Sequence, residues 1–306
     1  MEKPWKRLTG LVAATFTPLT AQGEVDLSVV EPYAEYLVQK QGVKQVFLNG
    51  TTGESVSLSV EERKRLAEEW CKIGKGRLDQ VVVHVGCPSL KDSRELAQHA
   101  AAAGADGIAV ISPSFFKPSS STALRMFLKE IAAAAPCLPF YYYHIPSMTS
   151  VHLPARDVVR GIEKEIPSFR GVKFSDQDLL DFGQCVSSCP SDWSLLYGVD
   201  EQLLGALAMG ATGAVGSTYN YLGRKVDHML LAFNKGDLVQ ARAVQCQLQE
   251  FLSFAIGHGF GLPMNKQLMS EVSGLPLGPP RLPLLPCPEQ DVRAVVGKLL
   301  SILGEE

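Results

Sequence analysis

Short apolar segments alternate with amphipathic helical segments along most of this chain of 306 residues. Such alternation predicts an α/β protein whose strands lie parallel and are covered on both faces, so that each strand is apolar throughout. Eight segments are interpreted as strands: Leu11–Thr15, Gln45–Leu48, Val81–Val85, Gly107–Ile111, Pro139–Tyr143, Gly171–Phe174, Leu195–Tyr197 and Ala214–Gly216. Eight βα units in one chain predict a closed (β/α)8 TIM barrel.

An open, doubly wound sheet is the alternative architecture. It would need a glycine-rich phosphate-binding turn after the first strand, whereas this chain has Thr15-Phe-Thr-Pro18 there. Local signals agree with helices between the strands. Ser59 and Glu62 predict a capping box that opens a helix over Glu61–Lys72, and Gly104 predicts the end of another.

The strand pattern stops after residue 222, and only helical segments follow. We interpret them as the last barrel helix and a C-terminal helical extension: Val226–Lys235, Asp237–Gly257, Met264–Val272 and Glu289–Leu303. No polar linker marks an independent unit. The sequence therefore predicts a single domain over residues 1–306, with the barrel at about 8–235 and the extension at about 236–306.

Charge and cysteine content limit the partners and the compartment. The formal net charge is −3 and no basic block stands out, so we expect no nucleic-acid partner. The apolar runs are shorter than the roughly 18 residues that span a bilayer, so we expect no membrane insertion. The seven cysteines are an odd number at scattered positions, which is typical of free thiols in a reducing compartment and predicts a cytoplasmic protein.

Lys173 lies within an otherwise apolar strand segment, Gly171–Phe174. Lysine is rarely buried without a partner or a function, and burial disfavours its charged form. A neutral amine can attack a carbonyl group, so Lys173 is a candidate nucleophile. The alternative is a structural lysine at a strand end whose ammonium group reaches solvent.

The fifth strand segment ends at Tyr143, next to the strand that carries Lys173. A phenol is a poor base alone but can transfer a proton when it is held between hydrogen-bonding groups. His144 could serve as a base instead. Successive strand residues point to opposite faces, so we expect His144 to point away from Tyr143 and to be structural.

Three further segments follow strand ends, where the active site of such a barrel lies. The turn at Thr51 and Thr52 offers hydroxyl and N–H groups that suit a carboxylate, although Gly-Thr-Thr-Gly can be only a turn. Asp200 and Glu201 could accept hydrogen bonds from sugar hydroxyl groups, or could cap the helix that follows. The stretch that ends at Ser217 resembles a phosphate cradle, but the nearby acidic residues favour a neutral polyol.

These segments together resemble one family, the class I aldolases that include N-acetylneuraminate lyase and dihydrodipicolinate synthase. The resemblance covers nearly the whole chain and is greatest for the sialic acid lyases of vertebrates. It rests on four motifs in the family's order and spacing: Gly50-Thr-Thr-Gly-Glu54, Tyr143-His-Ile-Pro146, Gly171-Val-Lys173 and Gly216-Ser217.

The resemblance implies a fold and a reaction. Lys173 would form a Schiff base with the substrate ketone, and Tyr143 would relay the proton of the C4 hydroxyl group during a retro-aldol cleavage. Thr51 and Thr52 would hold the carboxylate of the pyruvate portion. The sugar tail would contact five residues: Ser175, Gly198, Asp200, Glu201 and Ser217. The resemblance also implies a homotetramer that needs neither a metal ion nor a cofactor and takes only small-molecule substrates.

Two departures distinguish the branches of this family. The synthase branch has an arginine after its tyrosine that grips a second carboxylate, and here Met148 stands in its place. The synthase branch also has tyrosines near the end of strand four, where this chain has Phe115 and Phe116. Both changes argue against the synthase reaction. A related aldolase of another keto-acid and a catalytically inactive barrel that binds a ligand stay open as alternatives.

Overall fold

Eight parallel strands close into a barrel in the computed structural model, which describes residues 5–304. Each strand pairs with the next one along the chain, and the eighth pairs with the first. The strands are β1 (Gly10–Ala14), β2 (Gln45–Leu48), β3 (Gln80–His84), β4 (Gly107–Ile111), β5 (Phe140–His144), β6 (Phe169–Phe174), β7 (Ser194–Tyr197) and β8 (Gly213–Gly216).

The predicted (β/α)8 barrel is confirmed, and the doubly wound alternative is excluded because the sheet is closed. The bounds of β2 and β4 agree with the prediction. Strands β1, β3 and β5 are shifted by one residue at both ends, and β6, β7 and β8 begin one or two residues earlier than predicted. Residues 1–4 and 305–306 of the predicted domain lie outside the described residues.

Helices cover the outside of the barrel and continue beyond it. They are α1 (Val30–Tyr36), α2 (Val60–Gly74), α3 (Leu90–Ala103), α4 (Ser121–Ala132), α5 (Pro146–Thr149), α6 (Ala155–Val159), α7 (Leu179–Ser188), α8 (Leu203–Ala208), α9 (Tyr219–Asn234), α10 (Leu238–Gly257), α11 (Leu262–Ser273) and α12 (Glu289–Leu303). The Ser59–Glu62 capping box is present at the start of α2. Helix α9 begins seven residues before the predicted Val226, because its first turn is buried on all sides and the amphipathic pattern that marks a helix starts only later.

The barrel strands separate two apolar layers, as their alternating side chains require. One layer fills the barrel interior and includes Tyr141 and Tyr143. The other lies between the sheet and the helices and includes Tyr142. Since Tyr143 and Lys173 are register partners on β5 and β6, both side chains enter the barrel interior at the same level.

Helices α10, α11 and α12 form the C-terminal group of helices, which packs against α9 and reaches over the C-terminal ends of the strands. Helix α10 contacts α9 and α12, and α11 contacts the same two helices. These contacts place the C-terminal helices beside the mouth of the barrel. In residues 5–304, no helix has the length and apolar character that crossing a membrane requires.

Candidate active site

One cavity of about 220 Å³ at the C-terminal ends of the strands contains every predicted site residue. Those residues are Thr51, Thr52, Tyr143, Lys173, Ser175, Gly198, Asp200, Glu201 and Ser217. They come from five different strand ends or the loops that follow them, so only the closed barrel brings them together. The cavity wall also includes Leu252 of α10 and Phe260 of the connection between α10 and α11, which were not among the predicted site residues.

Lys173 is buried, with 4% of its surface exposed, and its amine lies between two aromatic rings. The Nζ atom is 3.8 Å from the ring centroid of Tyr143 and 4.3 Å from that of Phe47. No carboxylate of residues 5–304 forms an ion pair with Lys173. The amine is therefore available to attack a carbonyl carbon without first breaking an ion pair, and it does not reach solvent as the structural alternative required.

The phenol of Tyr143 stands beside Lys173 and is held from the other side by Thr51. The Tyr143 hydroxyl and the Thr51 Oγ1 atom lie 3.1 Å apart, within hydrogen-bonding distance. The ring also contacts Phe47 and His84 edge to face, which limits its rotation. A phenol that is hydrogen-bonded to a hydroxyl group and has an amine over its ring can exchange a proton at its oxygen, as a proton relay requires.

The turn that carries Thr51 and Thr52 is suited to an anion. Among the described residues, neither backbone N–H of this pair finds an acceptor, so both can donate to a ligand carboxylate. The turn is also held by the Thr17 hydroxyl, which donates a hydrogen bond of 2.7 Å to the Gly53 carbonyl. Glu54 closes the turn with a φ of 56°, a left-handed conformation that is rare outside glycine.

Glycine keeps the opposite side of the cavity open. A Cβ atom at Gly198 would lie 2.1 Å from the Ser175 hydroxyl oxygen, and one at Gly216 would lie 2.2 Å from the Asp200 Oδ1 atom. Any other residue would displace these two polar side chains. The two glycines therefore leave room in the cavity wall for the side chains of Ser175 and Asp200.

Asp200 and Glu201 do not cap the helix that follows them, so the capping interpretation is not supported. Asp200 instead accepts a hydrogen bond of 2.5 Å from the Thr218 hydroxyl at its Oδ2 atom, and within residues 5–304 its Oδ1 atom has no partner. Burial raises the pKa of both carboxyl groups above the ordinary value. A buried carboxylate with one unpartnered oxygen favours a ligand that donates a hydroxyl proton.

His144 points away from the cavity, as the strand alternation predicted. Its ring contacts Phe174 and Tyr142 in the layer between the sheet and the helices, and burial lowers its pKa.

A second cavity of about 430 Å³ adjoins the site at Thr51 and is lined mainly by apolar groups, with Met148 among them. It lacks the amine, so the chemistry belongs to the smaller cavity.

The residues that could bind a metal ion or form disulfides are dispersed. No group of three or more His, Cys, Asp or Glu side chains in the described part of the chain is arranged to hold a metal ion. All seven cysteines are free, Cys185 and Cys189 included.

A lysine without an ion pair, a restrained phenol and an anion-binding turn at the mouth of a (β/α)8 barrel define a class I aldolase. The chain belongs to the dihydrodipicolinate synthetase family, whose model matches residues 7–302. The family resemblance and the lyase class inferred from the sequence are thereby confirmed.

Comparisons with individual proteins agree with the predicted branch. The chain is 63% identical to an N-acetylneuraminate lyase of Danio rerio over 98% of both chains. It is 59% identical to one of Xenopus tropicalis over 93% of both chains. The structure of N-acetylneuraminate lyase (sialic acid aldolase) from Aliivibrio salmonicida superposes with a TM-score of 0.91 at 38% identity and 97% coverage of each chain. These relatives support the sialic acid lyase function that the sequence predicted.

Proposed function

We propose that this protein is a sialic acid lyase that cleaves N-acetylneuraminate into pyruvate and N-acetylmannosamine. The observation that carries the proposal is the position of the Lys173 amine, 3.8 Å from the centre of the Tyr143 ring, in a cavity with an anion-binding turn at one end and carboxylates at the other. That arrangement suits an acyclic keto-acid with a hydroxylated tail. The relatives named above carry the same activity in their names.

In the proposed mechanism, the amine of Lys173 attacks the substrate ketone, and the Tyr143 phenol protonates the resulting hydroxyl group, which leaves as water to give a protonated imine and a phenolate. The Tyr143 phenolate then removes the proton of the C4 hydroxyl group. The C3–C4 bond breaks, with its electron pair moving into an enamine as the C4 carbon becomes the aldehyde of N-acetylmannosamine. Tyr143 gives this proton to C3, and water hydrolyses the protonated imine to release pyruvate and the free lysine, while the proton set free returns to the phenolate.

The two ends of the cavity divide the remaining roles. Thr51 and Thr52 bind the carboxylate next to the ketone through their free N–H groups and hydroxyl groups, and Thr51 also orients the Tyr143 phenol. At the other end, Ser175, Asp200, Glu201 and Ser217 bind the hydroxyl groups of the tail, in space that Gly198 leaves open. No metal ion or cofactor takes part in this mechanism, because the imine is the electron sink.

We also propose a homotetramer in the cytoplasm whose subunits each fold as one domain. Phe115 and Phe116 contact each other on the surface and are 78% and 85% exposed, which favours burial against another subunit. Their exposure argues that they do not close the site within one chain. The seven free thiols suit a reducing compartment.

Pyruvate release from N-acetylneuraminate tests the proposal, with the Lys173→Ala protein as the control. We expect the wild type to release pyruvate and the variant to lose at least about 10⁴-fold in kcat while it keeps its melting temperature. Undiminished turnover in the variant would contradict the Schiff-base mechanism.

The alternatives predict other outcomes of the same assay. A related aldolase would release pyruvate only from 2-keto-3-deoxygluconate or from 4-hydroxy-2-oxoglutarate, assayed in parallel. An inactive barrel would release none, and borohydride with pyruvate would leave its mass unchanged. An active aldolase would instead gain the mass of pyruvate less one oxygen atom.

A further inference from the structure

Two consecutive residues of helix α11 (Leu262–Ser273) are polar, buried and directed at the site. Asn265 is 6% exposed and Lys266 is not exposed. Consecutive side chains on a helix project about 100° apart, so they can reach different loops of the barrel. Lys266 reaches the turn that carries Thr51 and Thr52, and Asn265 reaches Ser217.

Lys266 forms a buried ion pair with Glu54, in which Nζ lies 2.8 Å from Oε1. Its ammonium group also donates to the Pro279 carbonyl at 3.0 Å, and the Glu54 Oε2 atom accepts from the Arg281 backbone N–H at 2.7 Å. Each charged group makes two hydrogen bonds, yet a buried pair adds little net stability because desolvation is costly. Stability alone does not account for this pair.

Glu54 connects the ion pair to the anion-binding turn. It directly follows Gly53, holds a left-handed φ of 56°, and donates its backbone N–H to the Thr51 carbonyl at 3.0 Å. A non-glycine residue keeps such a conformation only when its surroundings impose it. The two bonds to the Glu54 carboxylate hold this residue from outside the turn and add to its backbone hydrogen bonds, so Lys266 helps to shape the turn that presents the N–H groups of Thr51 and Thr52.

Asn265 acts on the other end of the cavity through a hydrogen-bond chain. The buried Tyr221 hydroxyl donates to Asn265 Oδ1 at 3.0 Å and has no other acceptor among the described residues. In this orientation of the amide, the oxygen is occupied by the phenol and the Nδ2 group is left to donate. The Asn265 Nδ2 atom then donates to the Ser217 Oγ atom at 2.7 Å.

Because Ser217 accepts a hydrogen bond from Asn265, its own proton is free. No acceptor for that proton is present among residues 5–304. Ser217 lines the cavity, so it meets a ligand there as a donor, and the partner it selects is an oxygen acceptor on the substrate tail.

We propose that Lys266 and Asn265 are positioning residues that set the two ends of the site separately. Lys266 acts through Glu54 on the carboxylate end, and Asn265 acts through Ser217 on the tail end. The inference rests on the proposed lyase function, which defines these two ends.

Two readouts separate the ends. Borohydride trapping at varied pyruvate concentration reports on the carboxylate end alone, whereas KM for N-acetylneuraminate reports on both. Lys266→Met combined with Glu54→Gln removes both buried charges together. We expect it to raise the pyruvate concentration for half-maximal trapping about tenfold. The matched control is Lys298→Met, which breaks the exposed Lys298–Glu250 pair within the same group of helices and should change neither readout.

The second variant is Asn265→Leu combined with Tyr221→Phe, which replaces both buried partners with apolar groups of similar shape. We expect KM for N-acetylneuraminate to rise about tenfold and half-maximal pyruvate trapping to stay at the wild-type value. Ser217→Ala should raise KM by a similar factor. Adding the pair of substitutions to Ser217→Ala should then cause no further rise, since all three act through one hydroxyl group.

If combining the Asn265→Leu and Tyr221→Phe pair with Ser217→Ala raises KM by the full product of the two separate effects, the tail-end assignment is overturned. Unchanged pyruvate trapping in the Lys266 variant would overturn the carboxylate-end assignment. If either double variant fails to fold, Glu54→Asp, which keeps both charges but shortens the carboxylate side chain, and Tyr221→Phe alone give the same readouts with smaller expected changes. If the wild type traps pyruvate but does not cleave N-acetylneuraminate, the lyase proposal fails while the Lys266 assignment is still decided by trapping.

Discussion

The reactive centre of the cavity and its tail end are built differently. The reactive centre consists of side chains that project from barrel strands, Lys173 and Tyr143, packed against the aromatic ring of Phe47. The tail end consists of loop residues that helices outside the barrel hold in place. Gln245 and Gln249 of α10 donate to the backbone carbonyls of Asp200 and Glu201, respectively.

This difference matches the division between chemistry and specificity. Strand residues inside a closed barrel cannot shift without disturbing the core, which suits groups that must keep a reactive geometry. Loops held by hydrogen bonds from outside can vary in detail while the barrel is unchanged, which suits recognition of different substrate tails. We therefore expect substitutions at the reactive centre to lower kcat and substitutions at the tail end to raise KM.

The largest effect is expected for Tyr143→Phe. The ring would keep its contacts with Phe47 and His84, but the relay hydroxyl group would be absent. We expect kcat to fall about 10²- to 10⁴-fold. Borohydride trapping of pyruvate should persist, because Lys173 is intact. A variant with wild-type kcat would show that another group moves the proton.

Asp200→Asn should have a smaller effect than Tyr143→Phe, and it should act on KM instead of kcat. We expect KM for N-acetylneuraminate to rise roughly 10- to 100-fold with little change in kcat, because a charged acceptor of the tail is lost. Steady-state kinetics on the purified variant, with pyruvate trapping as the control for the carboxylate end, check this. A fall in kcat at unchanged KM would place Asp200 with the chemistry instead.

The same variant should be more stable than the wild type at neutral pH. Burial raises the pKa of Asp200, so the folded state holds its proton more tightly than the unfolded state does. The ionised carboxyl group therefore costs stability once the pH exceeds its ordinary pKa. Thermal unfolding at pH 7 should show a melting temperature a few degrees higher for Asp200→Asn. An equal or lower melting temperature would contradict this assignment.

The smallest effect concerns His84, which lies behind the carboxylate end. Burial, together with the positive charge of Arg63, lowers its pKa well below the ordinary value. Its Nε2 atom accepts from the Ile111 N–H, and Nδ1 lies 2.7 Å from the Asn49 carbonyl, so the neutral ring donates there. A depressed pKa means that stability is full above about pH 6.5 and is lost as the pH falls below it.

We expect each pH unit below that point to cost about 1.4 kcal/mol of the free energy of unfolding. Urea unfolding at pH 7.5 and pH 5.5 measures this cost, and His84→Asn should reduce the difference between the two values. If the free energy of unfolding changes equally between the two pH values in the wild type and in the variant, the pH dependence belongs to other groups.

The barrel and the reactive centre could be predicted from the sequence because their signals are local. Apolar strands such as Gln45–Leu48 stand out in a polar background, and a lysine inside such a strand is conspicuous. The strand alternation also predicted that Tyr143 and His144 would point to opposite faces of the sheet, with His144 on the face that packs against the helices. The family resemblance then added roles for residues such as Ser217, whose own segment was ambiguous.

The contributions of the C-terminal helices could not be predicted in this way. Asn265 and Lys266 look like ordinary polar residues of an amphipathic helix, and only the tertiary structure brings them to the site. Phe47 gave no signal either, because an aromatic residue on a strand usually fills the core. Residues that act through long-range contacts leave no pattern in the local sequence.

The most direct test of the central claim is to locate the covalent adduct. Wild-type protein is treated with pyruvate and borohydride, digested, and the modified peptide is sequenced by mass spectrometry. The account predicts a single reduced adduct on Lys173 that excess N-acetylneuraminate competes away. An adduct on any other lysine, or none on a protein that releases pyruvate from N-acetylneuraminate, would contradict it.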